Sequence, residues 1–176
     1  LPDGKYLLHI EATDSAGNFT DATAPVEIQL GGTPRVEITN VKFSPTSLAY
    51  GMDLNVSITV KNTGTVPVHT LGPAPGTRYT TDMNFSSFLD PADPSRALYF
   101  ERAGVWRVGV SWQNAPQAYP VRWGFFDDLN KQLLPGETAT IDGSVQILIR
   151  TQNTQVFYAG LEPVSYTHLR AHETGR

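Results

Sequence analysis

Leu54-Asn55-Val56-Ser57-Ile58-Thr59-Val60-Lys61 alternates without a fault: Leu54, Val56, Ile58 and Val60 are apolar, and Asn55, Ser57, Thr59 and Lys61 are polar. Successive side chains on an extended backbone point to opposite faces, so period two with one apolar face predicts a half-buried β-strand. Asn62-Thr63-Gly64 follows as a turn. Upstream, Val36 and Ile38 alternate with Arg35, Glu37 and Thr39, whereas Val41 and Phe43 take the odd phase. That change of phase predicts a bulge or bend near Thr39-Asn40.

Further strands are read downstream in the same way. Trp106, Val108, Val110 and Trp112 share one face, with Arg107, Gly109 and Ser111 on the other. Val121-Arg122-Trp123-Gly124-Phe125 predicts a neighbouring strand, joined through Gln113 to Pro120. Ala139 and Ile141 begin another strand that Val145, Ile147 and Ile149 continue, and Val156 with Tyr158 fit a last one. Gln152-Asn153-Thr154 is the expected hairpin turn between these two. Helical periodicity is nowhere convincing, so the predicted class is all-β, an antiparallel β-sandwich.

The N-terminal segment repeats the pattern on a smaller scale. Tyr6, Leu8, Ile10 and Ala12 lie on one side and Leu7, His9 and Glu11 on the other. Thr13-Asp14-Ser15-Ala16-Gly17-Asn18 then turns the chain, because Asp bonds the backbone ahead of it and Gly and Asn tolerate positive φ. Val26, Ile28 and Leu30 return, giving a hairpin. A lone hairpin is marginal in water, so residues 1–31 are expected to need partner strands or a neighbouring domain. The chain opens on Leu1 in mid-pattern, as a stretch cut from a longer protein would.

Composition agrees with a turn-rich β protein: of 176 residues 17% are charged, with Gly 15 and Pro 13. A net charge of -4 without any Lys/Arg cluster argues against nucleic acid or an anionic membrane surface as partner. No apolar run approaches the ~18 residues needed to span a bilayer. Zero cysteines remove disulfides, thiol nucleophiles and thiolate metal sites together.

Gly4-Lys5-Tyr6 through Asn18 resembles the closing hairpin of bacterial Ig-like or fibronectin-III-like domains. Val56-x-Ile58-x-Val60-x-Asn62-x-Gly64, followed later by Leu134-Pro135-Gly136-Glu137-Thr138-Ala139-Thr140, resembles CARDB-type bacterial surface β-sandwich modules. In such modules the Pro-Gly-Glu turn enters a strand opposite the Val-rich one. The resemblance implies the end of one Ig-like domain over 1–31, a linker at 32–34 and an Ig-like sandwich over 35–163. A long excursion near 67–103, with little alternation, interrupts it. Residues 164–176, Val164 to Arg176, resemble the translated sequencing-adapter read-through that ends many environmental-DNA gene fragments. His168 and His172, spaced to share a helix face and ligate zinc, belong to that string and are set aside with it.

Candidate sites are sparse. Trp106, Trp112, Tyr119 and Trp123, with Phe125 and Phe126 nearby, offer the richest chemistry. A flat row of exposed rings stacks on sugar faces, although alternate aromatics on a strand usually fill a core. Asp90 and Asp93, in Asp90-Pro91-Ala92-Asp93-Pro94, are the weak candidates for calcium, on a spacing that matches no EF-hand loop. Asp82, Asp127 and Asp128 sit where turns select Asp. A Ser-His-Asp arrangement would have to recruit His9 or His69, the histidines outside the tail.

No catalytic constellation assembles from these residues, and no cofactor is expected. The expected role is a non-catalytic, extracellular spacer and adhesion module of a bacterial surface or secreted protein. Its expected partners are neighbouring domains of the same longer chain and, beyond those, a glycan or another surface protein. The rival is a carbohydrate-binding accessory module of a secreted hydrolase, using exposed tryptophans. The excursion near 67–103 is a third candidate, since long loops on rigid scaffolds often carry binding sites.

Overall fold

A computed structural model describes residues 4–28, 32–90, 92–93, 104–150 and 154–163. The chain divides into two compact units, Leu1–Thr33 and Pro34–Arg176. The last stretch, 164–176, and residues 152–153 of the expected final turn lie outside the described residues.

The first unit is a two-stranded antiparallel hairpin, β1 (Gly4–Thr13) and β2 (Phe19–Ile28), in unbroken register from Gly4 opposite Ile28 to Thr13 opposite Phe19. Asp14 makes the turn: its Oδ1 accepts from the backbone N–H groups of Ala16 and Asn18, both at 2.9 Å, and its Oδ2 accepts from the Asn18 amide at 2.8 Å. Gly17 supplies the positive φ. Within this unit Leu8, Ile10 and Val26 stay exposed on one face and Leu7 and Phe19 on the other.

The second unit is sandwich-like. Its first sheet has the order β3 (Val36–Ser44), β4 (Asp53–Asn62), β10 (Thr138–Gln146), β6 (Arg78–Thr80). Its second sheet runs β11 (Phe157–Pro163), β7 (Val105–Trp112), β5 (Val68–Thr70), β9 (Gln132–Leu133), with β8 (Val121–Trp123) also paired to β7. Leu54, Val56, Ile58 and Val60 are all buried, and the last three meet Val108, Val110 and Trp112 of the second sheet in one core. Fully burying one such side chain contributes about 1.5–3 kcal/mol, so each buried position of this alternation is a substantial contribution to stability. The predicted bulge is present as a register shift between Ile38 and Asn40.

Two features correct the sequence reading. The sandwich is not wholly antiparallel, because β6 pairs parallel to β10 and β5 pairs parallel to β7. The stretch after Pro67 is also more than a loop: it gives β5 to one sheet, β6 to the other, and a 3-10 turn at Phe85–Phe88. Strands of three residues are too short to show a period in sequence. In β11 the inner side is taken by Phe157, Ala159 and Leu161, while Tyr158 and, just before the strand, Val156 are exposed. Ile147 and Ile149 lie past the end of β10 rather than within it.

Asn62 explains the Val-x-Ile-x-Val-x-Asn-x-Gly pattern physically. It occupies the inward position after Val60 and is fully buried, yet every polar atom of its side chain is used. Its amide donates to the carbonyls of Val66 and Leu133, both at 2.8 Å, and its Oδ1 accepts from Gly64 N–H at 2.9 Å. The Pro135-Gly136 turn places β10 directly beside β4, Ala139 against Val60 and Ile141 against Ile58.

Candidate functional site

Trp112 and Trp123 are core side chains, 3% and 0% exposed. The Trp123 indole lies where a side chain at Gly143 would stand, and its Nε1 donates to the Thr77 carbonyl at 2.9 Å. Tyr79 meets it edge-on, with centroids 5.4 Å apart. Trp106 and Tyr119 are half-buried. The four rings named from the sequence therefore form no exposed row, and the buried indoles have no face to offer a sugar.

Tyr119 instead covers the outer surface of the second sheet. Gly109 and Gly160 are cross-strand partners there, and side chains on either would collide with the Tyr119 ring. The residue adopts φ +46°, an uncommon conformation for a non-glycine residue, held by Arg122 Nε donating to its carbonyl at 2.9 Å. Arg122 also meets Glu162 at 2.6 Å and lies 3.6 Å over the Phe85 ring. Arg107, 0% exposed, belongs to the same group. Burial, reinforced by Arg122, pushes its guanidinium down to about 10, while Glu162 pulls the other way. Burial likewise raises the Glu162 carboxyl, against the pull of the two arginines, and lowers Arg122. Desolvation leads each shift, as burial disfavours the charged form of each group.

The acids and histidines have local roles. Asp90 Oδ1 accepts from Ala92 N–H at 3.0 Å, and the Asp90 carbonyl accepts from Asp93 N–H at 3.0 Å, so Asp90 caps its own turn. Asp127 and Asp128 accept from Asp128 N–H and Asn130 N–H, and Asp82 accepts from the Thr80 hydroxyl. Among the described residues no three His, Asp or Glu side chains converge on a point that could hold a metal ion. His9 pairs with Asp21 at 3.2 Å on the exposed hairpin, and His69 lies beside the Gln132 amide.

A concave site lies elsewhere, where β3 leads into the 45–52 connection and the chain leaves β10 for β11. A groove of about 760 Å3 is floored by Phe43, Leu54, Ile147, Ile149 and Phe157. Its rim carries Thr46, Ser47, Tyr50, Arg150, Thr154 and Gln155. Gly51 N–H donates to the Ile147 carbonyl and Ile147 N–H to the Met52 carbonyl, which clamps the two connections together. The Arg150 guanidinium lies 4.2 Å over the Tyr50 ring. Among the described residues of its lining there is no carboxylate and no histidine. Sequence reading missed it because its floor is assembled from residues at or just past the ends of four strands, β3, β4, β10 and β11, which meet only in the fold.

Comparison of the chain with protein-family models, curated proteins and solved structures returns no match. Ig-like and CARDB-type resemblance thus rests on the quoted residues alone, and functional inference rests on the groove, the core and the division of the chain into units. Among the described residues no helix is long and apolar enough to cross a membrane.

Proposed function

We propose that the chain is a non-catalytic extracellular segment of a bacterial surface or secreted protein, acting as spacer and adhesion module. The observation that carries this reading is the succession of two separate compact β units joined at Thr33 and Pro34. Tandem β modules are what a spacer requires, since each is stabilised by its own alternate apolar positions. The hairpin of the first unit, with Leu7 68% exposed, supports its reading as the end of an Ig-like domain whose other strands belong to a longer chain. In the second unit the polar and charged residues singled out from sequence serve turns, caps and a closed charge cluster.

The competing reading as a carbohydrate-binding accessory module needs exposed rings, and the burial of Trp112 and Trp123 weighs against it. The test is a pull-down of the intact chain on insoluble polysaccharides together with a glycan array. The spacer reading expects no retention. Retention that survives high salt and is competed by free oligosaccharide would overturn it in favour of the accessory-module reading.

A further inference from the structure

We infer that the groove beside Arg150 binds the C-terminal end of an extended peptide segment whose last side chain is apolar. This stands apart from the spacer reading, because every described residue of the lining belongs to the second unit, whatever the chain holds apart.

Three observations point to that chemistry. The floor is apolar, made of aliphatic Leu54, Ile147 and Ile149 and of the rings of Phe43 and Phe157, 6.5 Å apart, and the groove's volume of about 760 Å3 falls in the range of small-ligand sites. Among the described residues of the lining Arg150 is the only one that carries charge at neutral pH, on a chain whose net charge is -4. Among the described residues no carboxylate forms an ion pair with it. Stacking on Tyr50, itself 51% exposed, fixes the plane of the guanidinium and leaves its N–H fork for a carboxylate, which it matches in bidentate geometry. An apolar group on the floor and a carboxylate at the rim are the two ends of one ligand.

A peptide end fits better than an acidic sugar. Leu54, Ile147 and Ile149 give sugar hydroxyls no hydrogen-bonding group, which confines such groups to the rim hydroxyls of Thr46, Ser47, Tyr50 and Thr154 and to the Gln155 amide, itself donating to the Gln113 carbonyl at 2.7 Å. The neighbouring strands suit an extended ligand as well. Among the described residues β3 and β11, which carry Phe43 and Phe157, are edge strands that pair on one side only.

The test uses the full chain and calorimetric or NMR titration with defined probes: a hexapeptide ending in a free-carboxylate Leu, the same peptide amidated, the same peptide ending in Ser, octanoate, and trigalacturonate. The Leu peptide is expected to bind, and amidation, the Ser ending and Arg150→Gln are each expected to weaken binding by about tenfold or more. Shifts should centre on Ile147, Ile149 and Tyr50, and affinity should fall with salt. Equal binding of the amidated peptide, unchanged binding by Arg150→Gln, or tighter binding of octanoate or trigalacturonate overturns the assignment. So does the absence of saturable Leu-peptide binding up to about 1 mM. Arg150 is exposed, so its variant keeps the fold, and far-ultraviolet circular dichroism confirms this before titration.

Discussion

Gly109 of β7 and Gly160 of β11 face each other across the ladder, and the ring of Tyr119 fills the space that both side chains would occupy. A Cβ on Gly109 would stand 2.6 Å from the Tyr119 Cβ, nearer than atoms of a packed interior approach. Gly109→Ala and Gly160→Ala are therefore expected to lift the 113–120 loop and to cost about 1–3 kcal/mol each in urea unfolding. Adding Tyr119→Gly, which removes the Cβ as well as the ring, to either should recover part of that loss, and a double-mutant cycle measures the coupling. Strictly additive losses would show that the ring does not sit on the glycines.

Asn62 is expected to be as costly to lose as a large core residue. Asn62→Ala leaves the carbonyls of Val66 and Leu133 and the N–H of Gly64 without their partner inside the protein, a loss of about 3 kcal/mol. Asn62→Asp keeps the acceptor but removes both donors and buries a charge, so it should be no milder at neutral pH. Chemical denaturation of both variants checks the ranking, and a loss under about 0.5 kcal/mol for Asn62→Ala would contradict it.

The tryptophans give a prediction that separates packing from ligand contact. Trp123→Ala empties the space beside Gly143 and should destabilise the sandwich by about 3–5 kcal/mol. Near-ultraviolet circular dichroism and thermal melting should register the change in the absence of any sugar. A Trp123→Ala variant with unaltered melting would mean that the indole is not core.

Two carboxylates should move stability in opposite directions with pH. Hydrogen bonds from Asn18, first its side chain and then its backbone, hold Asp14 below the ordinary value of 3.8. Its contribution is present above that value and lost as pH falls through the lowered one. Burial raises Glu162 above 4.5, so its contribution is present below 4.5 and lost as pH rises through the raised value. Carbon-13 NMR titration of the two carboxyl groups reads both directions, and Asp14→Asn and Glu162→Gln should each remove the corresponding slope. A Glu162 carboxyl titrating below 4.5 would contradict the burial-dominated cluster.

How far the fold could be read from the residues depended on how local each signal was. β4 and the bulge after Ile38 were legible because one strand shows its own period and its own change of phase. β5 and β6 were not, because three residues hold no period and their parallel partners lie far along the chain. At β11 the exposed Tyr158 and, just before the strand, Val156 are apolar and mimic an inner face, while Phe157, Ala159 and Leu161 actually pack inward. Tyr119 was noticed for its ring, but its task depends on two glycines that meet only after β7 and β11 pair. The groove was invisible for the same reason: Phe43, Ile149 and Phe157 converge only once the sandwich has closed.

The most direct test exploits the absence of native cysteine, which makes single-cysteine variants along β4 unambiguous reporters. Under native conditions Asn55→Cys and Lys61→Cys should react with a thiol reagent at the rate of a free thiol, whereas Val56→Cys, Ile58→Cys and Val60→Cys should react only as fast as the sandwich unfolds. Labelling of Ile58→Cys as rapid as that of Asn55→Cys, in a chain that remains folded, would contradict the two-sheet core.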